Sequence, residues 1–143
     1  MTDEEFAKKT AEGGMAQVKM GQLAEETGPS QTGKDFGKPM VDDPSKANDE
    51  LKKAAESSNI MRPAKLDVRD QATYDRLAKL NGAAFDKAYA RDMVKDHRAD
   101  LAEFQQEARN GRDQQIKNFA SQTIPALETL RIFSRRFPCV VLQ

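Results

Sequence analysis

Apolar residues recur along this chain at intervals of three and four, and no segment carries a convincing period of two, a pattern that predicts helices throughout. The first is expected over residues 3–26, where a turn of about 100° per residue puts Phe6, Thr10, Gly14, Val18 and Gly21 on one side. Thr2 with Glu5 makes a capping box ahead of it, and Gly28-Pro29 ends the run. Glycines on the buried stripe predict the close approach of a neighbouring backbone, and "AEGGMAQV" reads as tight packing rather than a ligand loop. A second helix is expected from Gln31 to Ser58, with Phe36, Met40, Leu51 and Ala54 on one face and Ala47 between them. Pro44 sits in the middle of that face. An interior proline removes a hydrogen bond and costs about 3 kcal/mol, so a bend is expected near residue 43. The bend is either a kink or the start of a fresh helix capped by Asp43.

SSNIMRPAKLD follows as a connector, extended around Arg62 before Pro63. A short helix is expected from Val68 to Leu80, with Tyr74, Leu77 and Leu80 as its apolar set and Asn81-Gly82 as its breaker. The third long helix spans Ala83 to Arg109 and aligns Tyr89, Met93, His97, Leu101 and Phe104. The last begins near Asp113, uses Ile116, Ala120, Thr123, Leu127 and Leu130, and should bend at Pro125. Four long amphipathic segments joined by short or moderate links predict an all-α, antiparallel four-helix bundle over residues 1–130, with a short extra helix between helices 2 and 3.

One phrase is written twice. PMVDDPSKANDEL and DMVKDHRADLAEF superimpose Met40 on Met93, Val41 on Val94, Asp43 on Asp96 and Glu50 on Glu103. Leu51 then meets Phe104, Ala55 meets Ala108, and Pro44 meets His97, the one histidine of the chain. Helices 2 and 3 should therefore present similar surfaces to a shared core, through duplication or through convergent packing.

Charge adds little. Lys plus Arg and Asp plus Glu are both 23, a balance that argues against nucleic acid as a partner. Cys139 is alone, which excludes an internal disulfide and a cysteine-built metal site and leaves an inert free thiol or a link between chains. No stretch reaches the roughly 20 apolar residues of a transmembrane segment, and MTDEEFAKK has no apolar core of a signal peptide, although one could have been removed.

AEGGMAQVKMGQLA, FGKPMVDDPSKANDEL, YDRLAKLNGAAFDKAY and MVKDHRADLAEFQQEA together resemble a bacterial family of ferritin-like helical proteins. Its members are often labelled "predicted outer membrane protein" and carry domain of unknown function forty-one forty-two. The resemblance covers about residues 3–130. It implies a ferritin-like bundle in the periplasm or cell envelope without an established activity, cytoplasmic residence being the alternative. Three features depart from the family. Helix 2 of its members typically reads MVDDH, where this chain has Pro44. A second family histidine falls near Leu130. RIFSRRFPCVVLQ, from Arg131 onward, reads as an atypical and partly disordered C-terminal tail, residues 131–143, whose Arg131, Arg135 and Arg136 beside Phe133 and Phe137 are solvated rather than bound to lipid.

Candidate chemistry is thin. His97, Asp100 and Asp43 are the candidate metal ligands, and the cofactor such a site would take is a divalent metal. Set against them is a core-edge histidine held by one carboxylate, since zinc and iron sites need about three or four converging ligands. Ferritin-like di-iron centres use Glu-x-x-His on two helices, yet Val94 precedes His97 by three residues and helix 2 offers Val41 and Pro44, so no such centre can be assembled. GPSQTGKD matches a phosphate-binding loop only in outline: Asp35 replaces the magnesium-binding hydroxyl, and no strand precedes it. Haem on Met93 or His97 is outweighed by methionine as core filler, with no Cys-x-x-Cys-His for attachment. A lone histidine with no nucleophile beside it offers little to catalysis. The sequence thus points to a non-enzymatic envelope or stress-related binding module, with metal binding as the alternative. Its partner is an unidentified protein or a second copy, for which Met20, Leu23 and Phe133 are available apolar residues.

Overall fold

The computed structural model describes the backbone of residues 1–27, 31–61 and 65–141, and the side chains of 1–26, 44–61 and 65–132. The described residues form five helices and no strand: α1 (Asp3–Thr27), α2 (Gln31–Ser57), α3 (Val68–Ala78), α4 (Gly82–Asn110) and α5 (Gln114–Val141).

Local chemistry sets the ends. Thr2 and Glu5 cap each other: the Thr2 amide donates to Glu5 Oε2 at 2.8 Å, and the Glu5 amide donates to Thr2 Oγ1 at 3.1 Å. Asp67 caps α3 by accepting from the Asp70 amide at 2.7 Å, and Asp113 caps α5 by accepting from the Ile116 amide at 3.1 Å. At the far end of α2, Asn59 takes φ 57°, and the Ile60 amide reaches back to the Ala55 carbonyl at 2.8 Å. With the Asn59 amide on the Glu56 carbonyl, this is the left-handed stop in which asparagine substitutes for glycine.

Two expectations need correction. The α2 backbone is one helix from Gln31 to Ser57, so Asp43 does not cap a fresh start at Pro44. A proline costs its helix only one N–H and one steric adjustment. The buried Pro44 offsets that cost through tertiary contact. α5 is one helix through Pro125, with which a bend there is compatible, and its backbone runs on through Arg131 to Val141 where a tail is expected. The extended backbone expected at Arg62 before Pro63, and the side chains of Phe36, Met40, Asp43 and Phe133, lie outside the described residues, as does most of GPSQTGKD, within which α2 begins at Gln31.

Two apolar clusters make the core. One joins Met20, Leu23 and Ala24 near the end of α1 to Leu77 of α3, to Phe85, Tyr89 and Met93 in the first half of α4, and to Leu130 of α5. The other joins Phe6 and Ala11 near the start of α1 to Leu51 of α2, Phe104 late in α4, and Ile116, Phe119 and Leu127 of α5. Helix directions follow from these memberships. The start of α1, the end of α2, the end of α4 and the start of α5 share one end of the molecule. α1 packs most extensively on α2 and α4 on α5, while α2–α5 and α1–α4 contacts complete a ring of antiparallel neighbours. α2 ends and α4 begins at opposite ends of the molecule, and α3, between them in sequence, lies mainly against α1.

Met20 and Leu23 are 1% and 8% exposed, so they are core residues rather than material for a dimer. The repeated phrase has the expected meaning where its side chains are described. Leu51 of α2 and Phe104 of α4 enter the same cluster from parallel helices, and Ala108 packs against it.

Candidate functional site

Between the two clusters the interior turns polar. α1 passes from Ala11 in one cluster to Ala16 in the other, and around that passage Thr10, Gly13, Gly14 and Gln17 border a shared cavity of about 60 Å³. Pro44 and Asn48 of α2 form the neighbouring wall. α4 contributes Asp100 and Phe104, and α5 contributes Thr123, Leu127 and Leu130.

The geometry of this layer centres on Asp100. The Gln17 amide nitrogen donates to its Oδ2 at 2.7 Å, tying α1 to α4 across the gap between the clusters. Burial pushes the Asp100 carboxyl up to about 7, with Asp96, Glu103 and Asp70 adding like charge, while the Gln17 bond works in the opposite direction. Asp96 and Asp70 are each raised to about 6, again chiefly by burial. The Thr123 hydroxyl is spent on the Phe119 carbonyl at 2.8 Å. The Thr10 hydroxyl, by contrast, is buried with no hydrogen-bond partner among the described residues. Gly14 exists here for room: a Cβ on it would run into the Asn48 carboxamide, whose Cγ would be 2.8 Å away. The close approach expected at this glycine is therefore real, but it is made by a side chain rather than a backbone.

The sequence-derived candidates separate. His97 is fully buried in α4, and burial holds its ring down to about 4, so the imidazole is neutral at ordinary pH. It belongs inside the core rather than at its edge. Asp100, one turn on, faces the cavity. The Asp43 side chain lies outside the described residues, and among the described residues no three His, Cys, Asp or Glu side chains are grouped to hold a metal ion. Gln17, Asn48 and Thr10 join Asp100 at the cavity without standing out as site residues in the sequence. A signal for them does exist: small and polar residues at 10, 13, 14 and 17 repeat at helical spacing on an otherwise apolar face.

A carboxyl pair, Asp3 and Glu107, fastens the end of the molecule. Asp3 accepts from the backbone amides of Arg112 at 3.2 Å and Asp113 at 2.7 Å. A bond with the Glu107 carboxyl holds Asp3 below the usual carboxylate range. Glu107, 5% exposed, is raised to about 7 by burial and by Asp3. A carboxyl whose folded value lies above its ordinary value of 4.5 favours folding at low pH, and that contribution is lost as pH rises from about 4.5 through about 7. Glu107→Gln keeps a donor for Asp3 and removes the charge. We expect the variant to match the wild type at pH 4 and to exceed it by on the order of 1–2 kcal/mol at pH 8 in urea titrations. Equal stability at both pH values would contradict this account of the pair.

What the central layer can do is hold and exchange a proton on Asp100 near neutral pH, and offer a carboxylate and a hydroxyl within mainly apolar walls. No helix of the described residues is long and apolar enough to cross a membrane. No curated protein matches the chain, and neither does any solved structure. Residues 1–131 match the model of the domain of unknown function DUF4142, and the chain belongs to that family.

Proposed function

We propose that this protein is a non-enzymatic binding module of the cell envelope, built as a ferritin-like four-helix bundle whose central cavity is the binding site. The observation that carries the reading is the cavity itself, with Asp100, Gln17 and a Thr10 hydroxyl that has no partner among the described residues, set among apolar side chains. Pockets with mainly apolar walls, a few convergent polar groups and a perturbed carboxyl are the usual form of small-ligand sites. The bundle assignment draws on the ring of antiparallel neighbours and on the single long crossover through α3, the connection that characterises ferritin-like bundles. Residence in the envelope rests on the family resemblance alone.

Protein-observed NMR with a library of small fragments tests the binding role. Saturable shifts should appear at Thr10, Gln17, Asn48 and Asp100, and should vanish in Gly13→Leu, whose new side chain starts from a position with no atom within 4 Å of its Cβ. A library in which no fragment saturates these positions rejects the cavity as a binding site. Fractionation of cells making the native gene product tests location independently; recovery in the cytosol would refute envelope residence. Elemental analysis of the purified protein, with metal titration of wild type and His97→Ala, tests the other class of function. Stoichiometric metal lost in the variant would replace this reading with a metal site.

A further inference from the structure

We propose that the central cavity accepts a small organic cation, a primary ammonium on a short alkyl stem, with the Asp100 carboxylate as its counter-ion. The inference rests on the cavity being a binding site and adds the class of ligand.

Charge selects the sign. Asp100 is the one ionisable side chain lining the cavity among the described residues. The groups acting on it from outside are mostly acidic: Asp96 and Glu103 on α4, and Asp70 on α3. On the α1 side stands Lys9, which is tied up at 2.8 Å by Glu103. Among the described residues, α2 and α5 line the cavity with Pro44, Asn48, Thr123 and apolar side chains and supply no charge there. The resulting field repels anions and attracts cations.

Solvation selects the kind of cation. A bare metal ion needs several oxygen or nitrogen ligands, whereas here Phe104, Leu127 and Leu130 form much of the wall. An alkyl stem gains from those walls by leaving water, and the ammonium has acceptors at its head. A carboxylate has about four lone-pair positions, of which the single Gln17 bond uses one. The Thr10 hydroxyl, buried and without a partner among the described residues, offers a second kind of acceptor to the same cavity.

Volume selects the length. A cavity of about 150 Å³ is known to take benzene. One of about 60 Å³ suits a stem of a few heavy atoms, such as ethylammonium, or the last atoms of a lysine side chain. Both sources share one chemistry, and the test separates them.

Cation binding and protonation compete for Asp100. With that carboxyl at about 7, its ionised fraction at pH 5.5 is smaller than at pH 8 by about 30-fold. The experiment titrates the full chain with ethylammonium chloride, followed by NMR shifts at Thr10, Gln17 and Asn48, at pH 8 and pH 5.5. We expect saturable binding at pH 8, weakened by about 30-fold at pH 5.5, and abolished in Asp100→Asn and in Gly13→Leu, both verified as folded by circular dichroism. Ethanol, neutral and of similar size, should bind at least ten times more weakly. Nα-acetyl-lysine methylamide tests the other source: binding tighter than ethylammonium assigns the site to a lysine side chain, and weaker binding to a free amine. Either result supports the proposal once Asp100 dependence holds.

Ethylammonium binding that is unchanged in Asp100→Asn, or equalled by ethanol, overturns the cation assignment while leaving the cavity a binding site, provided Gly13→Leu blocks it. The absence of saturable binding by ethylammonium at pH 8 overturns the proposal as well. If the fragment library also leaves the cavity residues unmoved, the binding reading falls with it.

Discussion

Phe104→Ala is expected to lower the unfolding free energy by about 3–5 kcal/mol, the range for deleting a buried phenylalanine ring. Phe104 is 5% exposed and joins three helices through aromatic contacts. Phe6 of α1 meets its edge at 4.9 Å and 72°, and Phe119 of α5 stands at 5.7 Å and 52°. Such pairs add about 0.5–1.5 kcal/mol beyond the area they bury. The position also borders the cavity beside Asp100, so the space left by the ring would merge with an existing void. Cost rises with the volume that fails to collapse, which places this substitution toward the upper part of its range. Leu101→Ala, on the same helix but only partly buried, removes less from the same cluster and should cost less. Urea denaturation of the two variants decides the matter. A loss of under about 1 kcal/mol for Phe104→Ala would mean that the second cluster is not packed as described.

The contrast between Phe104 and its polar neighbour Asp100 explains how much of this molecule can be read from its sequence. Phe104, Tyr89 and Met93 announce themselves because a helix that buries one stripe must repeat apolar residues every three or four positions. Ile116, Ala120, Thr123, Leu127 and Leu130 do the same on α5, and all five are buried. The starts of α1 and α5 are equally legible, since Thr2, Glu5 and Asp113 cap through contacts only three residues long. Breaks are another matter. Pro44 predicts a kink or a fresh start on local grounds, yet α2 continues as one helix because tertiary packing can outweigh one lost hydrogen bond. The cavity is harder still. Gln17 and Asp100 are 83 residues apart in sequence, and nothing local tells either of its partner. On α1 the periodicity runs the stripe through Val18, while the residue that reaches α4 is Gln17, one position away. A shift of one residue turns a helix by about 100°, enough to hide a polar layer behind an apolar pattern.

Adjacent glycines provide the most discriminating stability test, because alanine should act with opposite sign at Gly13 and Gly14. Glycine in the interior of a helix is less favourable than alanine by about 1 kcal/mol, so both substitutions start with that gain. At Gly13 the gain stands alone, since a Cβ there meets no atom within 4 Å, and we expect Gly13→Ala to stabilise by about 0.5–1 kcal/mol. At Gly14 the new methyl would enter the volume held by the Asn48 carboxamide, with Cγ at 2.8 Å and Nδ2 at 3.0 Å. The amide must swing away, or α1 and α2, the most extensively packed pair of helices, must separate. Overpacking of this kind costs about 1–3 kcal/mol, which outweighs the propensity gain. Gly14→Ala should therefore destabilise by about 1–2 kcal/mol, measured by the same urea titration. The double substitution Gly14→Ala with Asn48→Ala separates the causes. If the carboxamide is the obstacle, shortening Asn48 removes it, and the double variant should be more stable than Gly14→Ala alone. If the double variant is no better, the obstacle is the approach of the two backbones, and Gly14 serves the close helix contact that glycines on a buried stripe first suggested.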